Sequence, residues 1–289
     1  MTMLNTRGQK ATIVRGESRD RKKRKIEWAR LEHPVPKGIV FAPPLIGGSY
    51  AQQLNLLRWL GRLRFDILSF NYSGHGKSTD KFSLRTSLEN TLYMASAFHP
   101  ENRDNTPDPA GFACCYSAIP LLYAAQRLEE PFNRIVLINP LIRLGPFAIL
   151  KSFFVYYRDL FSNPAAKKNL REALVRYVDF LFPHVEKDKE SFGALKRHRT
   201  SIREVLFDLF LFSPLKEARL PGTRVLCIYS KKDRVLDIYA KRREHYESEL
   251  RKVCPLIRFM PMDDDHFFQF EATRRKARSA IGKFLAAPE

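Results

Sequence analysis

The sequence predicts an α/β protein built on a doubly wound, mostly parallel sheet of about eight strands, with a helical segment inserted between two late strands. Three observations lead there. Short apolar runs alternate with segments of helical period, the pattern of a sheet covered by helices on both faces. The 289 residues, 44% hydrophobic and 28% charged, suffice for a sizeable core and have the ordinary balance of a globular chain. Residues able to carry chemistry recur just past the carboxyl ends of the apolar runs, the edge where doubly wound sheets hold ligands.

In order, runs 11–14 and 25–31 read as an antiparallel hairpin whose turn is the basic stretch Arg21-Lys22-Lys23-Arg24-Lys25. Runs 38–42, 65–70, 111–114, 134–138, 224–229 and 256–260 read as the strands of the main sheet. Segments 52–63, 118–128, 238–253 and 272–285 are long enough, and apolar enough on one side, to be covering helices. One stretch breaks the alternation. Residues 143–217 contain no convincing strand and are read as an inserted lid, leaving 1–142 and 218–289 as the core. Asn163 before Pro164 reads as an N-cap, followed by Leu170, Leu174, Tyr177, Val178 and Leu181 on one face. Ser201 and Glu204 have capping-box spacing ahead of Val205, Leu206, Leu209 and Phe210. The segment serves either as a small helical core or as an apolar lid over a ligand.

Fifty Lys and Arg against 31 Asp and Glu leave a net charge of +19, which favours an anionic partner. The run at 21–25 has the composition of a nuclear-import or nucleic-acid patch, but a solvated hairpin turn is the simpler reading. Cys114, Cys115, Cys227 and Cys254 have neither metal-site spacing nor the density of a disulfide scaffold, so they are expected to be thiols in a reducing compartment. The N-terminus lacks an apolar signal core, and no stretch reaches the roughly 18 apolar residues of a membrane span. A cytoplasmic location is expected, with no transmembrane segment, no cofactor and no metal.

The chemistry centres on Phe112-Ala113-Cys114-Cys115-Tyr116-Ser117-Ala118, an apolar strand turning into a helix through small residues. At such a turn the apex residue, here Cys115, is exposed, and its neighbours two positions either side must be small; these are Ala113 and Ser117. Cys114 points the other way and is the inert one. Run 224–229 is followed by Asp233, and the last strand by Asp263-Asp264-Asp265-His266, so nucleophile, acid and base arrive in that order at one rim. Asp237 and Asp263 to Asp265 are rival acids. His33, His75, His99, His184, His198 and His245 lack mutual metal spacing and read as surface or loop residues.

On these residues the chain resembles the α/β-hydrolase superfamily over nearly its whole length. Asn71-Tyr72-Ser73-Gly74-His75-Gly76-Lys77-Ser78 matches the family's D-x-x-G-x-G-x-S loop with Asn for Asp. Ala42-Pro43-Pro44-Leu45 stands at the His-Gly oxyanion turn, 113–117 at the G-x-S-x-G elbow, Lys232-Asp233-Arg234-Val235 at the acid loop, and His266 at the terminal histidine. The departures are both elbow glycines, the oxyanion His-Gly, a proline at 120 and a cysteine nucleophile. The resemblance implies a Cys115-Asp233-His266 triad, with the backbone N–H groups of Leu45 and Tyr116 as oxyanion donors.

A cysteine nucleophile favours thioester substrates, because thiol-to-thioester exchange is near thermoneutral and leaves the acyl group activated. The family's acyltransferases and thioesterases point the same way, so acyl-carrier protein or acyl-CoA is the expected acyl donor. Two other readings compete. Residues 71–78 nearly spell a phosphate-binding P-loop, but Thr79 to Ser83 starts a helix poorly and 134–138 ends in Asn139 rather than Asp. Loss of catalysis would leave an inactive fold that binds an apolar ligand or a protein partner. Nucleic acid is not expected, since no reading helix or base-stacking motif is present.

Overall fold

The structure is a computed structural model that describes residues 3–4, 10–98, 109–129, 132–142, 204–205, 208–209, 211, 213–216, 218–233, 238–264, 266, 268 and 270–287. Its strands are β1 (Met3–Leu4), β2 (Lys10–Arg19), β3 (Lys25–Glu32), β4 (Gly38–Phe41), β5 (Phe65–Phe70), β6 (Pro109–Cys114), β7 (Arg134–Ile138), β8 (Arg224–Ser230) and β9 (Ile257–Met262). They form one sheet in the order β1-β2-β3-β5-β4-β6-β7-β8-β9. The β1, β2 and β3 strands pair antiparallel with their neighbours, and every pairing from β5 through β4 to β9 is parallel. All eight expected strands are present. The addition is the two-residue β1, too short to leave a pattern. Pro261 is accommodated because β9 pairs only with β8 and is an edge strand.

Helices α1 (Tyr50–Gly61), α2 (Leu84–Ala97), α3 (Ala118–Ala125), α4 (Ile238–Val253) and α5 (Glu271–Ala286) cover the sheet. Alternation along each buried strand divides the core. Phe65, Ile67, Phe112, Leu226 and Ile228 face Leu54, Leu57 and Leu60 of α1 and Ile281 and Leu285 of α5. Leu68, Phe70, Ala113, Val225, Cys227 and Tyr229 belong to the opposite face, with Leu88 of α2, Leu121 and Leu122 of α3, and Leu250 of α4. Each such Leu, Ile or Phe contributes roughly 1.5–3 kcal/mol by leaving water.

Helix α2 was not expected. Its buried side includes Ser87, Asn90 and Thr91, which erase the apolar period even though Ser83 and Thr86 form a capping box. The sheet places no helix directly after loop 71–78, and the loop's interior holds a carboxylate of its own chain. Glu27 of β3 accepts the Lys77 N–H and the Asn71 Nδ2–H. An added Cβ at Gly76, whose φ is +56°, would collide with both side chains. That arrangement leaves no phosphate cradle and removes the nucleotide reading. It also explains Asn71: the amide donates to Glu27 while its Oδ1 accepts the Tyr50 N–H at 2.9 Å, where an Asp would oppose Glu27.

The lid at 143–217 falls largely outside the described residues, as do Asn163, Pro164, Ser201, Asp237, Asp265, His99, His184 and His198. Of its carboxyl end, Val205, Leu209 and Leu215 are buried in the same cluster as Tyr116.

The basic run at 21–25 is a hairpin turn tied into the fold. Asp20 accepts the Lys22 and Arg24 N–H groups, and Lys22 and Arg24 both pair with Glu89 of α2. Burial alone would raise the Glu89 carboxyl, but Lys22, Arg85 and Arg24 hold it down to about 2. A depressed carboxyl contributes stability that is present above its unfolded value and is lost as pH falls. Glu89→Gln is therefore expected to lower stability at pH 7 by about 1 kcal/mol, the range of surface ion pairs. Paired thermal melts should show the difference closing between pH 4.5 and 2; a constant difference across that window contradicts the assignment.

Candidate active site

The strand β6 ends at Cys114, a 3-10 turn spans Cys115–Ser117, and α3 follows at once. Cys115 holds φ +47°, the left-handed region that costs an L-residue roughly 1–2 kcal/mol and persists only where neighbours enforce it. The enforcement is visible. Ser117 Oγ accepts the Cys114 N–H at 3.0 Å and donates to the Cys114 carbonyl at 2.8 Å, pinning the turn from inside. The Cys115 carbonyl accepts from Ala118 and, at 2.9 Å, from Leu141 N–H beyond β7. Where the family has an elbow glycine, this chain has a serine that braces the turn. Close passage of α3 over β6 is met elsewhere, at Gly111, where an added Cβ would lie 3.0 Å from Leu121.

Cys115 packs with the α3 side of the core, whereas Cys114 packs against the other face. Burial and the adjoining Cys115 raise the Cys114 thiol far above its ordinary range, so Cys114 is the inert neighbour. All four cysteines are free thiols.

Asp233 and His266 come from the loops after β8 and β9 and meet at this rim. Both are buried, and His266 Nδ1 lies 2.6 Å from Asp233 Oδ2. With Nδ1 donating to the carboxylate, Nε2 is left on the other side of the ring, and Cys115 is near enough to act on the charge of His266. Burial disfavours the imidazolium, yet the interactions with Cys115 and Asp233 outweigh it and raise His266 to about 10. A histidine set between a thiol and a carboxylate is an arrangement that nucleophilic acyl chemistry can use.

Among the described residues, the rival acids are occupied. Asp264 accepts the Phe270 N–H at 3.1 Å at the start of α5, and Asp263 pairs with Lys232 at 3.2 Å. His33 and His75 sit in loops but are buried rather than on the surface: His33 bonds Val35, and His75 packs on Phe82 with ring centroids 4.8 Å apart.

The expected oxyanion donors stand where the turns begin. Tyr116 N–H opens the 3-10 turn, ahead of its first internal bond, which Ala118 donates. The Ala42 N–H is taken by Leu68 O at 2.9 Å and Pro43 and Pro44 carry no N–H, so Leu45 is the next donor after β4, in a turn closed by Gly48 N–H to Leu45 O at 2.9 Å. Behind Tyr116 the wall is aromatic and polar, with Phe82, Tyr72 and a 2.6 Å bond from the Tyr116 hydroxyl to Ser87. Sequence reasoning missed this wall together with α2, and it missed Asn139, which carries no motif but stands one residue past a strand in a left-handed conformation. Among the described residues no group of His, Cys, Asp and Glu is arranged to hold a metal, and no helix is long and apolar enough to cross a membrane.

No protein-family model matches the chain, and no curated protein matches it. Solved structures do. An esterase of Pyrococcus furiosus superimposes with a TM-score of 0.66 at 14% identity, covering 95% of this chain and 91% of that one. A lipase in its open form gives 0.64 at 13% identity, covering 95% and 98%. A hydrolase from Pseudomonas aeruginosa gives 0.60 at 17% identity, covering 94% and 98%. The chain has the α/β-hydrolase fold, as its motifs implied.

The charge on His266 is directly measurable. Because its folded value lies above the ordinary 6.5, stability drawn from its protonation is complete below about pH 6.5 and lost as pH rises through 10. Imidazole titration by NMR should therefore give a midpoint near 10 in the native chain. Cys115→Ala removes the largest favourable contribution and should bring the midpoint down by more than one unit, as should Asp233→Asn; a midpoint unmoved by both contradicts the coupling.

Proposed function

We propose that the chain is an α/β-hydrolase-type acyl hydrolase or acyltransferase that uses Cys115 as its nucleophile. Its substrate is an activated acyl group, a thioester of a hydrophobic chain carried by an acyl-carrier protein or coenzyme A. The observation that carries this reading is the conjunction at one rim of a strained, small-residue elbow bearing Cys115 with His266, which is bonded to Asp233 and whose charge Cys115 influences. The esterase and lipase likenesses support ester-type acyl chemistry, and the sulfur nucleophile favours thioesters among such substrates.

In this reading the Cys115 thiolate attacks the thioester carbonyl carbon, and the carbonyl electrons move onto oxygen between the Leu45 and Tyr116 N–H groups. Collapse breaks the bond to the donor sulfur, which takes the proton held at His266 Nε2 and leaves as a free thiol. The acyl group now sits on Cys115. His266, neutral and held in one tautomer by Asp233, removes a proton from water or another acceptor as that group attacks, and Cys115 is released as thiolate. In this reading the segment 143–217 serves as the lid, which the burial of Val205, Leu209 and Leu215 in the same core cluster as Tyr116 supports. Exposed Lys77, Lys231 and Lys232, on loops at the same edge, suit an acidic carrier or the phosphates of coenzyme A. Four free thiols are consistent with a cytoplasmic setting.

Acid-quenched intact-mass analysis after incubation with acyl-CoA and acyl-carrier-protein donors tests this. A covalent adduct of the acyl mass is expected in the native chain and absent in Cys115→Ala. No adduct with any donor, with apolar-ligand binding equal in both chains, would replace the enzyme with an inactive binding protein of the same fold.

A further inference from the structure

Asn139 is the first residue past β7, 1% exposed, with φ +41°. Its main-chain N–H donates to Ile228 O at 2.9 Å, extending the ladder to β8. Its carboxamide is fully committed. Oδ1 accepts the Ser230 N–H at 2.7 Å, and Nδ2 donates to Ser230 Oγ at 3.1 Å and to the His266 carbonyl at 2.7 Å. Ser230 ends β8, three residues before Asp233. Two residues after Asn139, the Leu141 N–H donates to the Cys115 carbonyl at 2.9 Å. One short turn therefore holds the elbow of Cys115, the strand end that bears Asp233, and the backbone of His266.

The residue type follows from these bonds. The side chain must offer one acceptor and two donors at the same place, which among short side chains only a carboxamide does. Asn is also the residue other than glycine that most readily adopts a left-handed backbone. Unlike the usual left-handed Asn, its bonds reach residues 91 and 127 positions away rather than its own turn. His266 and Asp233 lie in separate loops that are joined just ahead of both residues by Lys231 N–H to Met262 O at 2.8 Å and Lys232 N–H to Asp264 O at 3.2 Å, and Asn139 adds the tie that reaches the backbone of His266 itself.

We propose that Asn139 is a positioning residue: by fastening the end of β8 and the His266 carbonyl to one side chain, it sets the Asp233 to His266 separation and aims the imidazole at Cys115. This rests on the reading of Cys115, Asp233 and His266 as one reactive unit. Asn139→Asp is the informative change, since it keeps shape and the acceptor for Ser230 N–H but places a carboxylate against the His266 carbonyl. Asn139→Ala removes all three side-chain bonds. Ile135→Val, in the same strand and away from the turn, is a control for simple destabilisation.

The experiment follows iodoacetamide alkylation of Cys115 by peptide mass at pH 7, the His266 NMR titration, and thermal melting in each variant. Asn139→Asp is expected to alkylate about tenfold more slowly than the native chain, the change that one unit of proton affinity brings, and to lower the His266 midpoint. Ile135→Val should lower the melting temperature without moving either reading. If Asn139→Asp and Asn139→Ala melt lower but keep native alkylation and titration, Asn139 is a scaffold residue and the inference fails while the proposed function stands. Should Asn139→Ala not fold, Asn139→Asp decides alone. If native Cys115 alkylates no faster than Cys115 in His266→Ala, the reactive unit itself is refuted, and this inference with it.

Discussion

The arrangement depends on the register of four parallel strands. Cys114 of β6 lies opposite Ile138 of β7, Ile138 opposite Ile228 of β8, and Ile228 opposite Met260 of β9. Parallel strands in this register deliver their next residues to one edge, so Cys115, Asn139, Asp233 and His266 emerge at the same level from four separate chain segments. The sheet brings them there because Val136, Leu226 and Ile228 on one face, and Leu137, Val225 and Cys227 on the other, are buried. A slip of one residue in any of these pairings would turn every apolar side chain to the wrong face, so the energy that fixes the core also fixes the site.

Strain at the rim is the second consequence. Cys115, Asn139 and Phe268 are all non-glycine residues with positive φ, and all lie just past β6, β7 and β9. At Asn139 the side-chain bonds that oppose relaxation run between segments, and at Cys115 a bond from Leu141 across the sheet adds to the brace that Ser117 gives within the turn. The elbow departs from the family pattern in composition but not in mechanics: Ser117 braces from within, Gly111 lets α3 approach, and Leu141 holds the carbonyl from across the sheet. The same logic applies at Asn71, where an amide replaces a carboxylate because Glu27 already occupies the loop.

Most of the sheet was legible in the sequence because its strands are short, apolar and bounded by turns, as at 65–70 and 134–138. Cys115, Asp233 and His266 could be singled out as candidates because each stands at a fixed place relative to a strand end, and the structure brings Asp233 and His266 within a hydrogen bond. What remained hidden follows from interactions that leave no period. Helix α2 buries Ser87, Asn90 and Thr91, where the Ser87 and Thr91 hydroxyls bond within the helix and Asn90 Oδ1 accepts the Ser73 N–H, so its inner face reads as polar. Glu27 looks like an ordinary outward residue of β3 until loop 71–78 folds over it. Asn139 has partners 91 and 127 residues away, a relation that no local window contains. The basic run, conspicuous by composition, proved to be a turn whose cations answer Asp20 and Glu89.

In the proposed function the rim is assembled around an acyl carbon that becomes bonded to Cys115. A crystal structure of the chain alkylated with an aliphatic chloromethyl ketone, in which the thiol displaces chloride and leaves a ketone one carbon from the new carbon-sulfur bond, tests it most directly. The account predicts the adduct on Cys115 alone, with its oxygen within about 3.1 Å of the Leu45 and Tyr116 amide nitrogens and His266 still bonded to Asp233. An adduct on Cys114, or one on Cys115 whose oxygen turns away from both amides, would contradict it.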